Sequence, residues 1–95
     1  MSSQGLKTYV RPKDVDPIVA SKVLAWLNSS NTAHEIENTI ARYAGEGVLG
    51  IRIAKKILHE KVELGGFKYL QQVAAVPGIG IKRFNVIVYA LSDQV

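Results

Sequence analysis

The stretch VPGIG, residues 76–80, is followed at once by IKRFNVIVYAL, residues 81–91. A proline and two glycines separate two apolar segments, and Lys82 and Arg83 stand at the start of the second. Pro77 stops a helix, Gly78 and Gly80 allow backbone angles closed to other residues, and Ile79 is suited to plug the space between two helices. The same residues leave their amides bare. A glycine turn feeding straight into a helix directs N–H groups outward at the positive end of the helix dipole, where a phosphate is held without any side chain. Lys82 and Arg83 add positive charge beside those amides. Taken alone, such a turn serves equally well as a plain connection between helices, with both cations solvated.

Moving outward, the turn has a second copy. Displaced by 30 residues, GVLGIRIAKKIL (47–58) falls on PGIGIKRFNVIV (77–88), with Leu49 on Ile79, Gly50 on Gly80, Arg52 on Lys82 and Ile57 on Ile87. The preceding segments agree as well, placing Ile40 on Leu70, Tyr43 on Val73 and Ala44 on Ala74. Each copy is a helix, a glycine turn and a helix, too small to bury its own apolar face, so the two are expected to stack about a pseudo-twofold axis.

Helix signals fill the rest of the chain. Asp16 is placed to cap and Pro17 to occupy the first position of a helix whose apolar stripe is Ile18, Val19, Val23, Trp26 and Leu27. Thr32 and Glu35 have capping-box spacing and open a second helix with Ile36, Ile40, Tyr43 and Ala44 inward. GEGVLG, residues 45–50, ends it. A third helix turns Ile51, Ala54, Ile57 and Leu58 inward and Arg52, Lys55, Lys56 and Lys61 outward, ending at Gly65-Gly66. A short fourth helix is expected from Phe67 to about Val76, and a fifth carries Phe84, Ile87, Val88 and Leu91, although NVIVYAL is rich in β-branched residues that weaken helix ends. No strand pattern of any length appears. The expectation is an all-α fold of about five short helices: a flexible basic arm over 1–13, then one helical domain over 14–95 with hairpin copies at about 35–62 and 65–92.

At 95 residues there is room for one core, and a composition 47% apolar and 21% charged is that of a globular domain. No apolar run approaches the roughly 18 residues that span a bilayer, so membrane insertion is not expected. MSSQGLKTYVRPKDV lacks the continuous apolar core of an export signal, which makes the cytoplasm the default expectation without identifying a compartment. Without cysteine there are no disulfides or thiolate metal sites. The net charge of +4 is unevenly placed: residues 50–95 hold seven cations against Glu60, Glu63 and Asp93, while the first half is balanced. A basic second half suits an anionic partner, and equally a solvated charged face.

LQQVAAVPGIGIKRFNVIVYAL resembles the helix-hairpin-helix motif: an apolar helix, a Pro-Gly-Ile-Gly-like hairpin, then a helix with a small or apolar residue four places and an aliphatic residue seven places after the second glycine. Those places are Phe84 and Ile87, and in the first copy Ala54 and Ile57. The 30-residue spacing, over residues 35–92, is similar to the tandem form found in bacterial competence proteins that bind incoming DNA. The resemblance implies binding of duplex or branched DNA without sequence preference, by hairpin amides on phosphate oxygens, in some members with a monovalent cation on hairpin carbonyls at a site corresponding to 76–80. It implies contacts from the backbones of Gly78, Ile79 and Gly80 and the side chains of Lys82 and Arg83; Gly50, Arg52, Lys55 and Lys56 of the first copy join them if the pseudo-twofold places both copies on one face. This chain departs from the pattern at the first hairpin, where Val48 replaces the first glycine, Gly47 the proline, and Glu46 adds an anion. Phe84 also fills a place usually given to a small residue, so it either splays the last two helices or turns inward as core.

Other residues carry less. His34 and His59 have no partner at ligand spacing, so no metal site and no other cofactor is expected. No nucleophile set, carboxylate pair or phosphate loop points to an enzyme. Trp26 fits the inward stripe, Tyr69 and Tyr89 lie near apolar stripes, and Lys7, Arg11 and Lys13 on the arm suit either the tracking of a phosphate backbone or a tag-like disordered tail. The sequence reading is therefore sequence-nonspecific DNA binding. The alternative is a protein-interaction or scaffolding module on a degenerate form of the same fold, with a protein partner in place of DNA.

Overall fold

A computed structural model of the chain describes residues 9–92. Within them lie five α-helices: α1 (Pro17–Ser29), α2 (Ala33–Ala44), α3 (Ile51–Leu64), α4 (Leu70–Ala74) and α5 (Gly80–Ser92), preceded by a 3-10 turn at Pro12–Asp14. No strand is present among the described residues, and no helix there is long and apolar enough to cross a membrane.

The helices start where side-chain acceptors are available. The Asp16 carboxylate accepts the Ile18 amide at 2.8 Å, with Pro17 at the first position of α1. Thr32 Oγ1 accepts the Glu35 amide at 3.1 Å and opens α2, while Glu35 reaches back to the Asn31 amide at 3.0 Å, one residue before the place a capping box requires. Removing the Thr32 hydroxyl orphans an amide at a helix start, so Thr32→Ala is expected to cost about 1 kcal/mol, read from the urea midpoint at unchanged slope. At the far end of α3, Gly65 takes a left-handed φ of 71° and the Gly66 amide returns to the Lys61 carbonyl at 2.8 Å. That pattern closes a helix with glycine where a Cβ is penalised.

The core is one cluster, drawn from every helix and from both glycine turns. Val23 and Leu27 of α1, Ile36 and Ile40 of α2, Ala54 and Ile57 of α3, and Leu70 and Val73 of α4 meet Phe84, Ile87 and Leu91 of α5, with Leu49 and Ile79 buried from the turns. Each large aliphatic side chain contributes about 1.5–3 kcal/mol on burial, set against the entropy of ordering the chain. The central element is α5, which packs on α1, α2 and α4. Its β-branched run stays helical through Ser92 because Ile87, Val88 and Leu91 are buried. Packing thus outweighs a small propensity deficit.

Several expectations are corrected. Tyr43 lies on the buried stripe of α2 by angle, yet it is 52% exposed, because it sits in the last turn, where no neighbouring element covers it. Ile18, in the first turn of α1, is 69% exposed for the same kind of reason. The fourth helix is shorter than Phe67–Val76. Asn28 pairs with the Phe67 backbone through two hydrogen bonds, at 2.7 and 2.8 Å, and Gln72 Oε1 accepts the amides of Lys68 and Tyr69 at 2.7 and 3.2 Å. Those side chains satisfy the backbone of 67–69 in an extended course. Lys61, expected in solvent, is partly buried and donates to the Ser30 carbonyl, fastening α3 to the junction between α1 and α2.

The basic arm expected over 1–13 is anchored in its described part. Asn85, 4% exposed, accepts the Val10 amide at 2.9 Å and donates to the Val10 carbonyl at 3.0 Å and the Ile81 carbonyl at 2.9 Å. The 3-10 turn then packs on α4. Lys7 lies outside the described residues, whereas Arg11 and Lys13 are exposed.

Candidate functional site

The turn between α4 and α5 is closed by its own backbone. The Val76 amide donates to the Val73 carbonyl at 3.2 Å and the Ile79 amide to the Val76 carbonyl at 3.1 Å. Ile79 is 1% exposed, the plug its position suggests. Its amide is therefore engaged inside the turn, and of the three backbones named above only Gly78 and Gly80 keep amides with no backbone acceptor among the described residues.

The two glycines have different reasons to be glycine. Gly78 has φ 92°, and a Cβ built there would lie 2.6 Å from Ile53 Cδ1 of α3. Gly80 has φ 63° and nothing within 4 Å of such a Cβ. Gly78 thus faces packed protein, while Gly80 leaves open space at the N-terminus of α5.

The first turn matches the second only in part. Leu49 is 2% exposed, like Ile79, and Gly50 precedes α3 with φ 87°. The other positive φ falls on Gly47, at 83°, and not on Val48, the residue aligned with Gly78. Val48 cannot adopt that angle without strain, so the turn shifts its left-handed residue one place. Where α1 and α2 are capped by Asp16 and Thr32, α3 has no side-chain cap and α5 begins on a residue without a side chain. Bare amides at two helix starts are an environment that favours anions.

Arg83 brings the turns together. Its Nε donates to the Val48 carbonyl at 3.1 Å and its Nη1 to the Gly78 carbonyl at 2.9 Å. A side chain expected to lie on phosphate instead commits two of its five N–H groups to the protein, leaving three. Val48, Gly78 to Arg83, and Val86 line one open cleft of about 710 Å³. Lys55 and Lys56 line a neighbouring depression with His59, Glu60 and Pro77, so the cations of the first copy stand beside the turn of the second. Lys82, Lys55 and Lys56 are all exposed. Arg52 is exposed too, on the first turn of α3, but lines neither depression. The contributions of the Val48 carbonyl, of Ile53 beneath Gly78, and of Val86 had no sequence signal, because backbone acceptors and lateral neighbours leave no mark in a residue pattern.

Two of the carbonyls at 76–80 are already engaged, which weighs against the monovalent cation that the family resemblance implies there. The Val76 oxygen already accepts an amide, and the Gly78 oxygen carries the Arg83 guanidinium. A second cation on that oxygen would lie some 4 Å from the first, a repulsion of roughly 1 kcal/mol in water and about 4 kcal/mol near a protein surface.

Elsewhere, Trp26 packs against the core, whereas Tyr69 and Tyr89 are 63% and 49% exposed. Among the described residues no three of His, Cys, Asp and Glu cluster as metal ligands. No family model matches the chain, and comparison with curated proteins and with solved structures finds no match.

Proposed function

We propose that the chain is a phosphate-binding helical module built as two pseudo-twofold helix-hairpin-helix units. More particularly, it binds duplex or branched DNA through its backbone, without sequence preference and without catalysis. The observation that carries this reading is the Arg83 bridge, which sets two glycine turns side by side, each leading into a helix start that no side chain caps. Gly80 leaves room for a phosphate against the first amides of α5, and Gly50 does the same for α3. Lys82, Lys55, Lys56 and Arg52 neutralise adjacent phosphates. Contacts from helix amides and cations to phosphate oxygens carry no sequence information, which is why the reading is of a backbone binder.

With four to six phosphates neutralised, log affinity should fall with log salt at a slope of about −4 to −5. Anisotropy of a labelled duplex at two salt concentrations measures it. Lys82→Glu should flatten the slope by about 1, and Lys82→Glu/Arg83→Glu should weaken binding about tenfold or more. No binding at low salt, or binding the double change leaves untouched, would sink this reading. A protein-interaction module is the second reading, favoured by Ile18, Val62 and Tyr69, each more than 60% exposed. It predicts capture of a partner that high salt leaves intact.

A further inference from the structure

Arg83 is an exposed cation, two of whose donors are turned onto the protein's own carbonyls. Among the described residues it is the one side chain that bonds both turns, reaching the Val48 carbonyl 35 residues away and the Gly78 carbonyl five residues back. We infer that Arg83 is a built-in cation: a positioning residue that locks the two turns into one unit and fixes a positive charge on the Gly78 carbonyl, so that the turns keep their geometry without K+ or Na+.

The chemistry follows from the shape of the group. A guanidinium is planar and always charged, and its Nε and Nη1 N–H groups point in different directions within that plane, so one side chain reaches two separate carbonyls at once. A hydrated potassium or sodium ion would have to lose water and compete with a positive charge already tethered there. The tethered charge also cannot be diluted away, whereas an ion's occupancy follows its concentration. Gly78 completes the arrangement, since its left-handed backbone and its contact with Ile53 hold its carbonyl in a fixed direction. Lysine would keep the charge but offers a single ammonium point in place of the fork.

The proposal about the free protein stands apart from nucleic acid, and only its relevance to binding rests on the function proposed above. The test uses the full 15N-labelled chain, free of DNA, in chloride salts of K+, Na+ and tetramethylammonium at equal ionic strength. Amide signals of 47–50, of Val76 and of 78–80 in the wild type should coincide in all three salts. Arg83→Gln releases both carbonyls: exchange of the turn amides should rise roughly three- to tenfold, and their positions should begin to respond to K+ or Na+. Arg83→Lys should recover only part of the protection. Movement of the wild-type turn amides specific to K+ or Na+ overturns the proposal, and that comparison needs no variant. An Arg83→Gln chain, folded by circular dichroism, whose turn amides exchange at the wild-type rate overturns it too. A failed duplex titration with these results intact removes the DNA reading alone.

Discussion

Phe84→Ala is expected to remove about 3–5 kcal/mol of stability, the loss measured when a large aromatic leaves a close-packed core. Phe84 is 0% exposed and the bulkiest of the fully buried side chains. A domain of this size holds only about 5–15 kcal/mol in total, so the variant should melt some 15–30 °C lower or be partly unfolded at room temperature. The same position in the first copy is Ala54, also fully buried. This difference in size is an asymmetry between the copies: α5 packs on three helices, whereas α3 is joined chiefly to α2. A small residue at 84 would leave the space between those helices empty. Phe84→Leu, which keeps most of the volume, should cost much less, about 1–2 kcal/mol. Thermal and urea unfolding of both variants decide the matter. A cost below 1 kcal/mol for Phe84→Ala would mean that the ring is peripheral and that α4 and α5 are held apart by something else.

Local chemistry made much of this fold legible. Asp16-Pro17, Thr32 and Gly65 announce helix boundaries because caps and stops act within four residues of the chain. The pairing of Leu49 with Ile79 was readable because a buried plug needs an apolar residue between two flexible positions. What could not be read depends on distant parts of the chain. Tyr43 carries the right angle on α2, but whether anything covers the last turn is a tertiary fact. Asn85 looks like a polar interruption in the apolar run of α5, and only the structure shows that it holds Val10. In the candidate site, the positions of Lys82 and Gly80 followed from the motif, whereas the role of Arg83 did not. Its partners are the carbonyls of Val48 and Gly78, and every residue has a carbonyl.

The same separation of local from distant causes governs the second large effect. Gly78→Ala is expected to cost about 2–3 kcal/mol, and the cost has two sources that mutation can part. One is backbone strain: φ at 92° lies in a region that a Cβ disfavours by roughly 1–2 kcal/mol. The other is contact, since the new methyl would approach Ile53 Cδ1 to 2.6 Å and that side chain must turn aside within a packed setting. Gly80→Ala carries the first source without the second, having φ 63° and open space, so it should cost only about 1–2 kcal/mol. Ile53→Val removes the offending δ-carbon. The double variant Gly78→Ala/Ile53→Val should therefore be more stable than the sum of the single changes by about 1 kcal/mol, a coupling measurable by urea unfolding. Equal costs at 78 and 80, or strict additivity with Ile53→Val, would show that α3 does not press on the second turn. Duplex binding should divide the other way: Gly80→Ala fills the approach to the α5 amides in a protein that remains folded, while the effect at 78 on binding follows loss of the fold. The first glycine of PGIG is thus required by the protein's own packing, and the second is the position at which the proposed phosphate contact is tested.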